Sequence, residues 1–166
     1  QTEYRAISNR ANHIVDISLT QGHNSSESDQ NDSRSHLFSN SIVDLDLLNF
    51  DLSNIEFQLQ KTSNNTYLKL FNLESPLFGE SSRSGGVSTL NSFINFTASK
   101  EDLDIDASIE IYEKLDSPNS DRYEFIFPSY NIKKDIKSYS SSSGTLSFNS
   151  SGSQHLYNTN IVENQI

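Results

Sequence analysis

The segment Leu103-Asp-Ile-Asp-Ala-Ser-Ile-Glu-Ile111 constrains the fold more than any other stretch, because an apolar residue stands at every second position without a break. Successive side chains of a β-strand point to opposite faces of the sheet, so this alternation is the pattern of a strand with one buried face. Val15, Ile17 and Leu19 against Asp16, Ser18 and Thr20 repeat it. Between such segments lie runs rich in Ser and Asn, which favour turns and solvent-facing positions. The chain reads as all-β.

Further strands are predicted at 41–48, 54–60, 66–73, 91–97, 103–115, 122–127, 130–137, 145–148 and 155–162. About nine or ten short strands with turn signals between them predict an antiparallel β-sandwich or jelly roll, and no alternation of strands with helices is visible. Tyr4, Ile7, Ala11 and Ile14 recur at helical spacing, so residues 1–20 are predicted to form an N-terminal arm, a short helix and/or a strand. Residues 21–35 (QGHNSSESDQNDSRS) carry no apolar anchor and are expected to be a polar loop. Residues 36–166 then make the sandwich body of a single domain. The motif Val43-Asp-Leu-Asp-Leu47 echoes Glu101-Asp-Leu-Asp-Ile105, as two strands of the same pleat would.

Ten Phe and seven Tyr supply the large apolar side chains of a chain that has no Cys, Met or Trp. Without cysteine there is no disulfide framework, thiolate metal site or thiol nucleophile. A formal net charge of −10 opposes binding to nucleic acid or to an anionic membrane surface. The one basic cluster, Lys133, Lys134 and Lys137, includes Asp135 and reads as a solvated face. No apolar run approaches the roughly 20 residues of a helical membrane span, so no membrane span is expected.

Asp102, Asp104, Asp106, Glu110 and Glu113 have the spacing of a calcium-binding loop, with Ile109 at its usual apolar position. Ala107 stands where that loop turns sharply on Gly, and Leu103 and Ile105 continue the strand alternation. The strand reading is therefore preferred, with Asp102, Asp104 and Asp106 about 7 Å apart along one face. Weak calcium candidates are thus Asp102, Asp104, Asp106 and Glu113, and Asp44, Asp46 and Asp51 are further surface acids. His13, His23, His36 and His155 are dispersed and read as surface or edge imidazoles. Ser84 and Ser153 neighbour glycines but lack the strand-turn-helix setting of a nucleophile elbow. No catalytic residue, cofactor or metal site is predicted.

Five Asn-x-Ser/Thr triplets, at Asn24, Asn31, Asn64, Asn95 and Asn149, are glycosylation candidates if the chain is exported and glycosylated. Export is favoured by the Ser/Asn-rich texture and by a first residue, Gln1, that is not Met. The N-terminal arm and the terminal segment from His155 to Ile166 are both able to add to a sheet edge. The function expected is that of a non-enzymatic, extracellular or cell-surface (or virion) subunit of a filament or appendage. It would act by self-association into a homo-oligomer or polymer, or by adhesion. The alternative is a carbohydrate-binding module whose glycan site uses Tyr123, Tyr130, Tyr139 and Tyr157 beside Asn131 and Asn158.

Overall fold

A computed structural model of the chain describes residues 1–21, 33–70, 75, 77, 88–117, 121–136 and 146–157. Eight strands follow one another in a single antiparallel sheet, each hydrogen-bonded to the next in chain order. They are β1 (Thr2–Ile7), β2 (Ala11–Gln21), β3 (Ser33–Asp44), β4 (Leu52–Thr62), β5 (Thr89–Lys100), β6 (Leu103–Lys114), β7 (Tyr123–Ile136) and β8 (Leu146–Tyr157). The all-β, antiparallel expectation holds. The described strands are fewer and longer than predicted, and they form one up-and-down sheet.

Much of the difference lies in β7 and β8. The predicted strands 122–127 and 130–137 are one strand, interrupted in register between Ile126 and Ser129 by a bulge on β7. Pro128, joined to Phe127 by a cis bond, sits in that bulge, where the ladder does not require an N–H from it. Likewise 145–148 merges with the start of 155–162 in β8, and residues 158–162 lie outside the described ones. The first part of the predicted strand at 66–73 is instead a helical turn, α1 (Tyr67–Leu70), and residues 71–73 lie outside the described ones. The N-terminal arm is a strand hairpin with no helix, β1 pairing with β2 from Thr2 opposite Ile17 to Ile7 opposite Asn12.

The connections are uneven. β1–β2 and β5–β6 turn through residues 8–10 and 101–102, whereas β4–β5, at the opposite end of the sheet, spans 63–88. In the tight turn Glu101 adopts a positive φ of 41°, held by a hydrogen bond from its N–H to Asp51 Oδ2. At the end of the long connections Phe38, Tyr67, Leu68, Leu90 and Leu115 form the buried apolar cluster, with Leu77 against it. α1 is fastened there by a 2.8 Å hydrogen bond between the hydroxyls of Tyr67 and Ser18. His36 stacks on Phe38 with ring centroids 4.4 Å apart.

Candidate functional site

The register determines what each face of the sheet carries. On one face β6 presents Leu103, Ile105, Ala107, Ile109 and Ile111, and β5 opposes them with Lys100, Ala98, Phe96, Ile94 and Ser92. β4 continues the face with Ser53, Ile55 and Phe57, β3 with Val43 and Ser41, and β2 with Ala11, His13, Val15 and Ile17. On the far side β7 adds Ile132, Tyr130 and Phe125, which β8 meets with Ser150, Gly152 and Leu156. The extra residue of the bulge keeps odd-numbered Phe125 and even-numbered Tyr130 on the same face. Ile17, Phe57, Ile94, Ile109, Ile111, Tyr130, Phe148 and Leu156 all leave a large part of their apolar surface uncovered on this face.

Charge on the apolar face is confined to its two ends. Lys100 and Lys134 flank Leu103 at one end. Lys61 and Glu113 meet at the other, with Lys61 Nζ 2.8 Å from Glu113 Oε2. Arg122 also donates to Glu113, and Lys61 donates to the Tyr123 hydroxyl at 3.0 Å. Burial alone would raise the Glu113 carboxyl, but hydrogen bonds and charge from Lys61 and Arg122 hold it below the usual carboxylate range. Burial would lower the Lys61 ammonium, yet its bonds to Glu113 and Tyr123 hold it above its ordinary value. Between these ends the alternate positions of β4, β5 and β6 on this face contain no Asp, Glu, Lys or Arg.

The opposite face is mainly polar, although Ile14, Phe38, Ile42, Phe93 and Ile126 also lie on it. β4 places Asn54, Glu56 and Gln58 on it, β5 Asn91, Asn95 and Thr97, and β6 Asp104, Asp106, Ser108 and Glu110. β7 and β8 extend it with Ser129, Asn131 and Lys133 opposite Ser153, Ser151 and Asn149. Two cavities open on this face, one of about 310 Å³ lined by Asn95, Asp106, Ser108, Ser129, Asn131, Ser151 and Ser153. The other, of about 220 Å³, is lined by Glu56, Asn91, Phe93, Asn95, Ser108 and Glu110. Sharing Asn95 and Ser108, they adjoin one another along a trough-like stretch from β4 to β8. Tyr112 donates to Glu110 at 2.5 Å, and that bond, helped by partial burial, pushes its phenol up to about 12.

At the long-connection end of the polar face Asp16 and His36 are buried, at 0 % and 2 % exposure. His36 Nε2 lies 3.3 Å from Asp16 Oδ1 but is not aligned for a hydrogen bond. Both Asp16 oxygens accept from Gln1 Nε2, at 3.0 and 3.1 Å. Sequence reasoning read His36 as a surface or edge imidazole; the register instead places Asp16 opposite Phe38 and His36 opposite Ser18, under Tyr67.

The calcium candidates are divided by the strand. Asp104 and Asp106 lie on the polar face, Glu113 on the apolar face, and Asp102 in the turn before β6. Among the described residues no group of three or more His, Asp or Glu is placed to hold a metal ion. His13 lies on the apolar face of β2, and His155 Nδ1 lies 3.5 Å from Glu124 Oε1. Of the sequon residues, Asn95 and Asn149 are on the polar face, and Asn64 Oδ1 accepts from Thr66 N and Oγ1 at 2.8 Å. Asn24, Asn31, His23, Ser84, Lys137, Tyr139 and Asn158 lie outside the described residues. The predicted glycan set is not brought together, since Tyr123 and Tyr130 lie on the apolar face and Asn131 on the polar one. Comparison with protein families, characterised proteins and solved structures finds no match to the chain.

Proposed function

We propose that the chain forms the wall of a transmembrane β-barrel, its apolar face against lipid and its polar face toward an aqueous interior. The observation that carries this reading is the charge-free apolar band of β4–β6, bounded by Lys100 and Lys134 at one end and by Lys61 and Glu113 at the other. On β6 the ten residue steps from Leu103 to Glu113 cover about 34 Å, and tilted by about 45° they rise about 24 Å, close to the height of the apolar band of such walls. A water-soluble sheet hides such a face under a second layer. The connections 8–10, 45–51, 101–102 and 137–145 at one end are on average shorter than 22–32, 63–88 and 115–122 at the other, an asymmetry usual in such walls. No described helix is long and apolar enough to cross a membrane. That criterion, on which the expectation of no membrane span rests, does not measure strands, which cross with alternating residues.

The two terminal strands favour a second reading. β1 and β8 each have one edge with no strand partner among the described residues, and unpaired edges recruit strands. A non-enzymatic cell-surface subunit that self-associates through β1 and β8 uses those edges without lipid. In a membrane the same edges must be paired, because lipid offers them no hydrogen bonds.

Flotation of the folded chain with phosphatidylcholine vesicles, alongside light scattering without lipid, separates the two. Stable incorporation into neutral vesicles is the result for a wall. Failure to float, with mass rising with concentration in lipid-free buffer, overturns the wall and leaves the assembling subunit.

A further inference from the structure

The trough on the polar face has the chemistry of a binding site, and it is defined by β4–β8 whether or not the opposite face meets lipid. We infer that it binds a neutral oligosaccharide. Asn95, Asp106 and Asn131 line it, and among the described residues their side chains make no hydrogen bond or ion pair. Other groups of the trough are already occupied: Glu56 accepts from Asn40, and Glu110 accepts from Tyr112 and Ser108. Groups left open in a concave site are the ones a ligand satisfies.

The lining excludes other ligand classes. It contains Glu56, Asp106 and Glu110 but no Lys or Arg, so a phosphate, sulfate or carboxylate ligand meets repulsion without a counter-charge. Asn amides donate and accept, and carboxylates accept; sugar hydroxyls, which do both, satisfy either. Phe93 adds a half-buried aromatic surface at one end, suited to the apolar face of a pyranose ring. The two cavities lie side by side across Asn95 and Ser108, which suits an extended ligand, and the larger, about 310 Å³, matches the lower end of small-ligand sites.

The test is calorimetric titration of the full folded chain, in a non-glycosidic detergent, with maltohexaose, cellohexaose, a galacturonate hexamer and spermine. The inference predicts saturable binding of a neutral hexasaccharide at millimolar or lower concentration and none of the galacturonate. Asn95→Ala combined with Asn131→Ala weakens that binding by about tenfold or more, with far-UV circular dichroism and vesicle flotation unchanged. Ser150→Ala, on the opposite face, leaves the affinity as it is. Absence of saturable binding by both neutral sugars overturns the inference, as does equal affinity in the double variant. Tighter, salt-sensitive binding of spermine also overturns it, and makes the trough a cation site. None of these outcomes bears on whether the apolar face meets lipid, which flotation reads separately.

Discussion

Tyr130 on β7 and Gly152 on β8 lie directly opposite one another, and a Cβ added at Gly152 would stand 2.9 Å from Tyr130 Cε1. The ring therefore lies over the glycine, and space is what requires glycine there. Ala107, Tyr130's partner on β6, is small as well. An aromatic ring laid across a strand glycine restores the contact that the missing side chain cannot make.

Gly152→Ala is expected to destabilise the sheet by about 1 kcal/mol, because the ring end has to swing aside. In a Tyr130→Ala background the same change is expected to be close to neutral. Denaturant unfolding of the four proteins in this cycle measures the coupling; equal costs in both backgrounds would show that ring and glycine act independently.

A single positive charge reports which face meets lipid. Ile109→Arg places it in the middle of the apolar band and is expected to lower stability in bilayers by about 2–4 kcal/mol. Ser108→Arg, one residue away on the polar face, is expected to change it by less than about 1 kcal/mol. Unfolding titrations of the vesicle-incorporated proteins compare the two, and similar costs would contradict the two-faced arrangement.

Glu113 gives the sheet a defined acid response. Its folded-state affinity for the proton is depressed by Lys61 and Arg122, so the stabilisation is complete above the ordinary Glu value of 4.5 and disappears as pH falls below it. The melting temperature of the parent protein is expected to exceed that of Glu113→Gln by a constant margin above about pH 5 and to converge with it in more acidic solution. A margin that persists undiminished at low pH would remove the carboxylate from the account.

Tyr112 supplies the alkaline counterpart. Its phenol is raised to about 12 by donation to Glu110. The stabilisation that goes with this is complete below the ordinary value of 10.0 and is lost as pH rises through the folded value. Ultraviolet titration of the native protein should show late ionisation that is lost in Tyr112→Phe, and Glu110→Gln should move it toward the ordinary value.

The sequence carried β6 in full, because acids and apolar residues alternate there without interruption. It did not carry the unity of β7: the bulge at Phe127–Pro128 reverses the phase, so Phe125 and Ile132 look like residues of two strands. β8 was obscured differently, since Ser150 and Gly152 occupy apolar-face positions and only the Tyr130 ring makes that face continuous. The apolar run at Tyr67 and Leu68 resembled a strand, but its side chains are used in the buried cluster. One face of alternation is equally compatible with a sandwich and with a single sheet, so layer number was not legible. The trough was partly legible as the row of Asp104 and Asp106; that Asn95 and Asn131 join it follows only from the pairing of β5, β6 and β7. The Asp16–His36 contact likewise depends on the β2–β3 register.

The central claim is tested most directly by single cysteines along β6, since the chain has no cysteine of its own. Ile105→Cys, Ala107→Cys and Ile109→Cys, and separately Asp104→Cys, Asp106→Cys and Ser108→Cys, would each carry an environment-sensitive fluorophore in phosphatidylcholine vesicles. The wall predicts a strict period of two, the first set quenched by lipid-borne nitroxide and the second by aqueous iodide. Iodide quenching of both sets alike, or shielding of the first set without any response to the lipid quencher, would contradict it.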